Sequence, residues 1–332
     1  MLNRRQFLIG TTAVASVSAI VNGCQPQPRW GRKAFRKKAQ SRVAILPAAN
    51  YEMPLTDTIK RGIQLAGLEP RGKRVVLKPN LVEYDPNGAI NTHPAVIAAT
   101  VDAFRSLDAR EVVVAEGPGH RRDTEYLLTA SGLYAALKER DMVFTDLNHD
   151  DVQRQRLNSH YTELEHLYFP ATIMNADLLV SMPKMKTHHW VGVTLSLKNM
   201  FGSMPGLVYG WPKNVLHWSG IENSIIDINS SLPVPQFAIV DGIVGMEGNG
   251  PIQGQAKAAG VLLFGQDMVA VDATASRLMG VDPQAVAYLA EAAKFLGNIR
   301  SETIVQVGEP VEQLQQAFRL LPSFEQMRLR DS

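Results

Sequence analysis

The chain has 332 residues, of which 45% are hydrophobic and 20% are charged, so it can form a full core in one or two domains. Its formal net charge of +2 hides an asymmetry, because eight of the 34 Lys and Arg lie in residues 1–40, which contain no Asp or Glu. Residues 41–332 therefore have a net charge of −6, which argues against a nucleic-acid-binding domain. Cys24 is the only cysteine, which excludes an internal disulfide, a self-ligated iron–sulfur cluster and a cysteine-rich zinc site.

The first 24 residues have the pattern of an export signal. Arg4 and Arg5 precede a moderately apolar stretch, residues 8–21, which is too short and too rich in Ser and Thr to span a membrane. Val21-Asn22-Gly23-Cys24 then resembles a bacterial lipobox. We interpret residues 1–24 as a twin-arginine signal peptide with a lipobox, and Cys24 as the lipid-bearing residue. This predicts a protein exported by the twin-arginine machinery and lipid-anchored in the cell envelope, facing the periplasm or the cell exterior. An uncleaved anchor or a chance arginine pair is the alternative.

Residues 25–40 are predicted to be a basic tether. Six basic residues and no acidic residue lie between Arg29 and Lys38. Such a run is either a solvated, flexible linker or a contact with anionic lipid headgroups. We favour the linker, because a lipid on Cys24 would already localise the protein.

From Ser41 onward, short apolar runs alternate with segments of helical periodicity. The runs predict these strands: Arg42–Leu46, Arg74–Lys78, Glu111–Glu116, Met142–Asp146, Leu164–Phe169, Ala176–Met182, Phe237–Asp241, Gly260–Gly265 and Ile304–Val307. The periodic segments predict these helices: Leu55–Ala66, Pro94–Leu107, Thr124–Arg140 with a break near Gly132, Ile221–Leu232, Met268–Met279 and Gln284–Leu296. The polar stretch Asn148–Tyr161 is predicted to be a loop.

This alternation is typical of an α/β fold with a largely parallel sheet flanked by helices, and it leaves room for an inserted lobe between the two halves. We assign residues 41–300 to this domain and residues 301–332 to a C-terminal extension.

Polar residues follow several of the predicted strands. In open parallel sheets, ligands bind beyond the carboxyl ends of the strands, so these residues predict one shared cleft. They are Lys78 and Asn80, then Glu116, Gly117, Gly119 and His120, then Lys184, Lys186 and His188, and later Asp241 and Glu247.

The most informative stretch is residues 182–206. If Lys184–His188 is extended, Lys184, Lys186 and His188 point to one side, because side chains alternate along a strand. Thr194 or Ser196 could then cap a short helix that contains Lys198. Ammonium groups beside a helix N-terminus suit a carboxylate or phosphate, so we expect a small anionic ligand. A solvated lysine face, with His189 and Trp190 simply packed, is the alternative.

A second candidate is Gly117-Pro118-Gly119-His120-Arg121. The two glycines would let backbone amides face an anion, with Arg121 as a bidentate clamp and His120 as an acid–base group. Neither a P-loop nor a dinucleotide fingerprint is present.

Two further stretches have local roles. Thr92 is predicted as the N-cap of the helix that begins at Pro94, which leaves His93 a weak candidate ligand. The glycine-rich residues 241–251 are predicted to be a loop whose backbone approaches something closely. No His-x-x-x-His or His-x-His spacing occurs, so we predict no self-contained metal site.

Seven motifs in order resemble the domain-of-unknown-function 362 family. They are KPNLV from Lys78, THP from Thr92, AEGPG from Ala115, NADLLVSMPKMKTH from Asn175, GVTLSLKNMFGSMPG from Gly192, IVDGIVGMEGNGP from Ile239 and AVDATASRLMG from Ala270. The family has no settled activity. Some members carry a ferredoxin-type module, which is missing from this sequence.

A looser similarity is to the N-terminal domain of nickel-pincer lactate racemase. It involves His120-Arg121, Gly192-x-Thr194 and Lys198, although Leu195-Ser196-Leu197 replaces the glycine-rich run before the lysine. The similarity implies that His120 is an acid–base group and that Lys198 attaches an organometallic or organic cofactor.

We therefore expect an enzyme that acts on a small organic anion, by racemisation or redox chemistry at a hydroxy-acid carbon. His120 or His188 would transfer the proton. Contacts to the anion or cofactor would come from Lys184, Lys186, Lys198, Gly117, Gly119, Arg121 and Thr194, and the substrate would meet Lys78, Asn80, Asp241 and Glu247. A non-catalytic lipoprotein that captures an anionic solute is the alternative.

Overall fold

The computed structural model describes residues 28–31, 35–119 and 123–330. The predicted lipidation site Cys24 and the candidates His120 and Arg121 lie outside these residues. The strands are β1 Ser41–Pro47, β2 Arg74–Pro79, β3 Glu111–Glu116, β4 Phe144–Asp146, β5 Val152–Arg156, β6 His166–Pro170, β7 Leu178–Met182, β8 Lys184–His188, β9 Gly192–Thr194, β10 Gln236–Glu247, β11 Gln255–Gly265 and β12 Ile304–Gly308. The helices are α1 Leu55–Leu65, α2 Pro94–Ser106, α3 Thr124–Ala130, α4 Leu133–Lys138, α5 Ala171–Met174, α6 Ser196–Asn199, α7 Gly206–Tyr209, α8 Asn214–Trp218, α9 Ile221–Ser231, α10 Met268–Leu278, α11 Ala287–Ala292 and α12 Val311–Leu314.

One mixed sheet organises the molecule, in the order β12-β1-β11-β10-β7-β2-β3-β4. Most neighbours are parallel, but β11 runs antiparallel to both β1 and β10. Strand β10 pairs first with β7 and then with β8, so β8 continues the line of β7 within the same sheet. The predicted α/β class with a largely parallel sheet and flanking helices is confirmed.

The sheet has a core on each face, as strand alternation requires. Val75 and Leu77 of β2 pack with α1 and α2, through residues such as Ile59 and Val96. Val76 between them joins the opposite core, which includes side chains of α9 and α10. A sheet buried on both faces leaves its carboxyl edge as the place where polar side chains can gather.

Two predicted loops are corrected. The predicted loop Asn148–Tyr161 contains β5, a mainly exposed and polar strand that pairs with β6 in a separate two-stranded sheet. This small sheet lies between β4 and β7 in the chain, where we allowed for an inserted lobe. The glycine-rich residues 241–251 are strand as far as Glu247, because Gly242 and Gly245 pack against Met185, leaving no room for a Cβ.

The N-cap of α2 is His93, whose Nδ1 accepts from the Ala95 amide, whereas Thr92 Oγ1 donates to the Met182 carbonyl. The predicted boundary at residue 300 does not separate an extension, because β12 pairs with β1 in the main sheet.

The N-terminal segment packs on the body of the domain. Trp30 stacks on Phe295 with ring centroids 4.5 Å apart, and Phe35 meets the same ring edge-on at 4.8 Å. Lys37 Nζ donates to the Ala293 carbonyl at 2.6 Å. This corrects the expectation of a free linker for residues 28–31 and 35–38. Within the described ranges, no helix combines the length and apolarity that crossing a bilayer requires.

Candidate active site

A cavity of about 580 Å³ lies at the carboxyl edge of the sheet. It is bounded by the ends of β2 and β3, by β8 and β9, and by α6 and α8. Seven residues that we selected from the sequence line it: Asn80, Glu116, Gly119, Lys186, His188, Thr194 and Lys198. The strand-end argument therefore brought together residues from four separate parts of the chain.

Helix α6 places Lys198 in the cavity wall, and the surrounding structure fixes the position of this helix. Gly192, with a φ of 81°, allows the turn between β8 and β9, and the chain then enters α6. The buried carboxylate of Asp272 accepts from the Ser196 and Leu197 amides at 2.7 and 2.9 Å, which fixes the start of α6. Burial raises the pKa of Asp272 to about 7, although these hydrogen bonds oppose the shift.

Lys198 faces the cavity without a hydrogen-bond acceptor among the described residues. Its Nζ lies 4.4 Å from the centroid of the Phe201 ring, a cation–π contact. Burial, and then the positive charge of Lys78, lower the pKa of Lys198 to about 8. An amine in this state is available to bind an anion or to react as a nucleophile.

Lys186 is fully buried in the same wall. Its Nζ donates to the backbone carbonyls of Ile90 at 2.8 Å and Pro251 at 3.4 Å, and it has no carboxylate partner in the described parts of the chain. Burial, and then the nearby charges of Lys198 and Lys184, hold the pKa of Lys186 well below its usual range. A bound anion would relieve this penalty.

Two of the three histidines that line the cavity are in complementary states. His188 Nδ1 accepts from the Trp190 amide at 3.1 Å, so its neutral ring carries the hydrogen on Nε2. His217 Nδ1 donates to the Lys213 carbonyl at 3.0 Å, so its neutral ring has a free lone pair on Nε2. Burial is the main cause that lowers the pKa of both rings, further for His188, so both are neutral at pH 7. The cavity thus contains an imidazole donor and an imidazole acceptor.

Lys78, which we predicted to contact substrate, lies behind the cavity wall. Its Nζ forms a buried ion pair with Glu116 Oε2 and donates to Asn199 Oδ1 at 3.2 Å. Burial raises the pKa of Glu116 and lowers that of Lys78, while their mutual attraction opposes both shifts. A Cβ on Gly202 would collide with this carboxylate, which explains the glycine. The pair supports the wall and neutralises one of its acids.

Four other candidates also lie away from the cavity. Lys184 pairs with Asp241 at 2.6 Å and donates to Tyr51 Oη at 2.9 Å, in a network that also includes the His93 backbone amide. Glu247 accepts from the Arg319 amide at 3.0 Å. Gly117 donates its backbone N–H to the Gly202 carbonyl at 3.2 Å.

Sequence reasoning missed two residues of the cavity, Lys213 and His217. Lys213 Nζ donates to Asn148 Oδ1, and burial is the main cause that lowers the pKa of Lys213 to about 8. Lys213 and His217 are four residues apart, which places both side chains on one side of a short helical turn. This spacing is the signal that could have identified them.

The described residues contain no group of three or more His, Cys, Asp or Glu that could hold a metal ion. Lys198 is the side chain that best fits a covalently attached organic group, because its amine faces the cavity and is not held by an acceptor in the described part of the chain.

Fold and cavity together define an α/β protein with a cationic, histidine-containing pocket at the carboxyl edge of its sheet. The chain belongs to the family described as "Domain of unknown function (DUF362)", whose model matches residues 75–277. It is similar to a thylakoid-associated protein of Synechocystis sp., with 26% identity over 226 residues, which cover 66% of this chain and 67% of that protein.

Two solved structures have a partly similar fold. The lactate racemase apoprotein from Thermoanaerobacterium thermosaccharolyticum aligns with a TM-score of 0.42 and 14% identity, over 67% of this chain and 54% of that one. A protein from Thermotoga maritima aligns with a TM-score of 0.36 and 12% identity, over 64% of this chain and 56% of that one. The chain thus spans little more than half the length of either protein.

Proposed function

We propose that this chain is an enzyme that binds a small organic anion in the cavity and removes a proton from a carbon next to its carboxylate. The charges of the cavity support anion binding. Three lysines and two carboxylates line it, and one of these carboxylates, Glu116, is already paired with Lys78. A bound carboxylate would offset the surplus positive charge and return the lysine pKa values toward their usual range.

The observation that carries the catalytic proposal is the complementary pair of imidazoles. His217 Nε2, with its free lone pair, is the proposed base that takes the proton as the C–H bond breaks. His188 Nε2–H is the proposed donor to the substrate oxygen on which negative charge develops. Lys186 and Lys198 would hold the carboxylate. This resembles the racemase-like chemistry expected from the sequence, with His217 in place of the predicted acid–base residue His120.

The test is hydrogen exchange at carbon. The full-length chain is incubated in D₂O with 2-hydroxy and 2-amino acids, and loss of the proton signal of the carbon next to the carboxylate is followed by NMR. We expect exchange with at least one class, lowered about 10²-fold or more by His217→Gln and by His188→Gln. The exposed histidine variant His160→Gln is the matched control and should exchange at the wild-type rate.

Capture of an anion without catalysis is the second candidate, and the same lysines favour it. Calorimetric titration with these acids separates the two. Binding that is weakened by Lys198→Ala, with no exchange in the wild type, would replace the catalytic proposal with solute capture. If the acids neither bind nor exchange, both candidate functions are rejected.

We propose a group attached covalently to Lys198 as an alternative use of this amine, in which case Lys186 alone would hold the carboxylate. Such a group, when bound, would supply an electron sink for racemisation or redox chemistry at a hydroxy-acid carbon. Denaturing mass spectrometry and elemental analysis of protein purified from the source cell test this. We expect an adduct that is lost in Lys198→Ala and retained in Lys138→Ala, since Lys138 is exposed. A bare polypeptide without metal would remove the cofactor from the proposal.

We also propose that the protein is exported and anchored to a membrane through a lipid on Cys24. Support comes from Arg4-Arg5, the apolar stretch and the lipobox-like residues before Cys24. The thylakoid association in the name of the Synechocystis relative is consistent with a membrane location. Metabolic labelling with a fatty acid should mark the wild type and not Cys24→Ser. Replacing Arg4 and Arg5 by Lys should retain the precursor in the cytoplasm.

A further inference from the structure

We infer that the anion bound in this cavity carries a sizeable apolar portion, so that the site is specific for amphiphilic carboxylates rather than for two- or three-carbon acids. The inference rests on the proposed function and specifies its substrate class. It is carried by the size of the cavity, by the separation of its charged and apolar surfaces, and by an exposed tryptophan in its wall.

The size of the cavity is the first step. Its volume of about 580 Å³ lies within the range of about 300–1,000 Å³ that is typical of sites for drug-sized ligands. At about 30 Å³ per water molecule, it has room for roughly twenty waters. A three-carbon acid would leave most of this space unfilled.

The lysines and the histidine that a carboxylate would contact lie in the more buried part of the wall, and the half-buried Glu83 also lines the cavity. Lys186 has no exposed surface, Lys198 is half-buried on the short helix α6, and His188 is 5% exposed. A carboxylate would therefore bind at this inner end, where its charge is most strongly stabilised.

The remaining wall is largely apolar. Leu81, Val82, Phe201, Pro212 and Ile252 line it together with Trp190. Trp190 leaves 59% of its surface exposed although it lines the cavity, and its ring meets His217 edge-on at 5.8 Å between centroids. An exposed indole at a cavity wall is a large apolar surface that a ligand could cover.

The next residue after His217 extends this apolar character. Trp218 is 81% exposed on α8, and Leu207 on the neighbouring α7 is 63% exposed. The arrangement fits a carboxylate head and a hydrocarbon or aromatic tail.

The experiment is a chain-length series measured by calorimetry on the purified full-length chain. The probes are propionate, butyrate, hexanoate and octanoate, with octan-1-ol as the uncharged control. Each buried methylene contributes about 0.8 kcal/mol, so we expect affinity to rise about fourfold per methylene. Octan-1-ol should bind far more weakly than octanoate, because it lacks the carboxylate.

Trp190→Ala should lower octanoate affinity at least tenfold and change propionate affinity by less than about threefold. The matched control is Tyr134→Ala, an exposed aromatic residue on α4, which should leave both unchanged. Circular dichroism and thermal melting test whether the variants are folded.

Equal affinity for propionate and octanoate would overturn the inference and leave the proposed function intact. Octanoate binding that is insensitive to Trp190→Ala or matched by octan-1-ol would also overturn it. Failure of every carboxylate to bind would reject the proposed function itself.

Discussion

Lys184 and Lys186 lie two residues apart on β8, and both are buried, but their surroundings differ. Lys184 is ion-paired with Asp241 at 2.6 Å and also donates to Tyr51 Oη at 2.9 Å. In the described part of the chain, the acceptors of Lys186 are two backbone carbonyls in the wall of the cavity. The comparison teaches that a compensated buried charge holds the fold together, whereas an uncompensated one is available to a ligand.

The largest expected effect comes from breaking the compensated pair. Asp241→Asn leaves the Lys184 charge buried without its partner and should lower the free energy of unfolding by about 3–5 kcal/mol. The measurement is denaturant unfolding at pH 7. The double variant Lys184→Met/Asp241→Asn should recover more than half of the loss. Asp108→Asn in the exposed Arg71–Asp108 pair is the control and should cost less than about 1 kcal/mol. If Asp241→Asn lowers the free energy of unfolding no more than the control does, the distinction between Lys184 and Lys186 is wrong.

Replacing the uncompensated lysine should mainly affect binding. Lys186→Met should weaken carboxylate binding at least tenfold, because a hydrogen-bonded charge is lost from the site. Its unfolding free energy should change by less than about 2 kcal/mol, since two lost hydrogen bonds are offset by removal of a buried charge. Calorimetry and denaturant unfolding measure the two quantities. Lys138→Met should change neither the affinity nor the unfolding free energy. A severe loss of stability in Lys186→Met would show that Lys186, like Lys184, mainly stabilises the fold.

A pH profile of anion binding sharpens the comparison further. In the proposed function the ammonium form of Lys198 binds the anion, and burial lowers the pKa of Lys198 to about 8. Affinity should therefore be constant below about pH 7 and fall by up to tenfold per pH unit above about pH 8. The variant Lys198→Met should bind more weakly and show a flatter profile. An unchanged profile in this variant would transfer the titration to Lys213, whose pKa is also lowered to about 8.

The smallest effect is expected at Glu247. We predicted a substrate contact there, but its carboxylate accepts from the Arg319 amide outside the cavity. Glu247→Gln should leave carboxylate affinity unchanged and cost less than about 1 kcal/mol of stability, as measured by the same two methods. A tenfold loss of affinity would place Glu247 in the site after all.

The sequence was sufficient for the fold class and for much of the cavity. Apolar runs separated by periodic segments predicted the α/β class, and the rule that ligands bind at strand ends selected Asn80, Lys186 and His188. Both succeed because a parallel sheet brings its carboxyl ends together regardless of the details of the loops.

The partners of individual lysines could not be predicted in the same way. Side-chain alternation treats Lys184 and Lys186 alike, but the register of β8 against β10 shifts between Asp241 and Met246. Lys184 lies opposite Asp241 and Lys186 opposite Met246, so this tertiary pairing gives Lys184 a carboxylate and gives Lys186 none among the described residues. His217 was missed for a related reason, since the short helix α8 reaches the cavity only through tertiary packing.

The stacking of Trp30 on Phe295 limits where a lipid on Cys24 could place the domain. Only five residue steps separate Cys24 from Arg29, whose carbonyl accepts from the His160 amide. Five steps of extended chain reach at most about 18 Å. A lipid-modified protein would therefore lie close to the bilayer with one face toward it. The packing of Trp30 on Phe295 would determine which face this is.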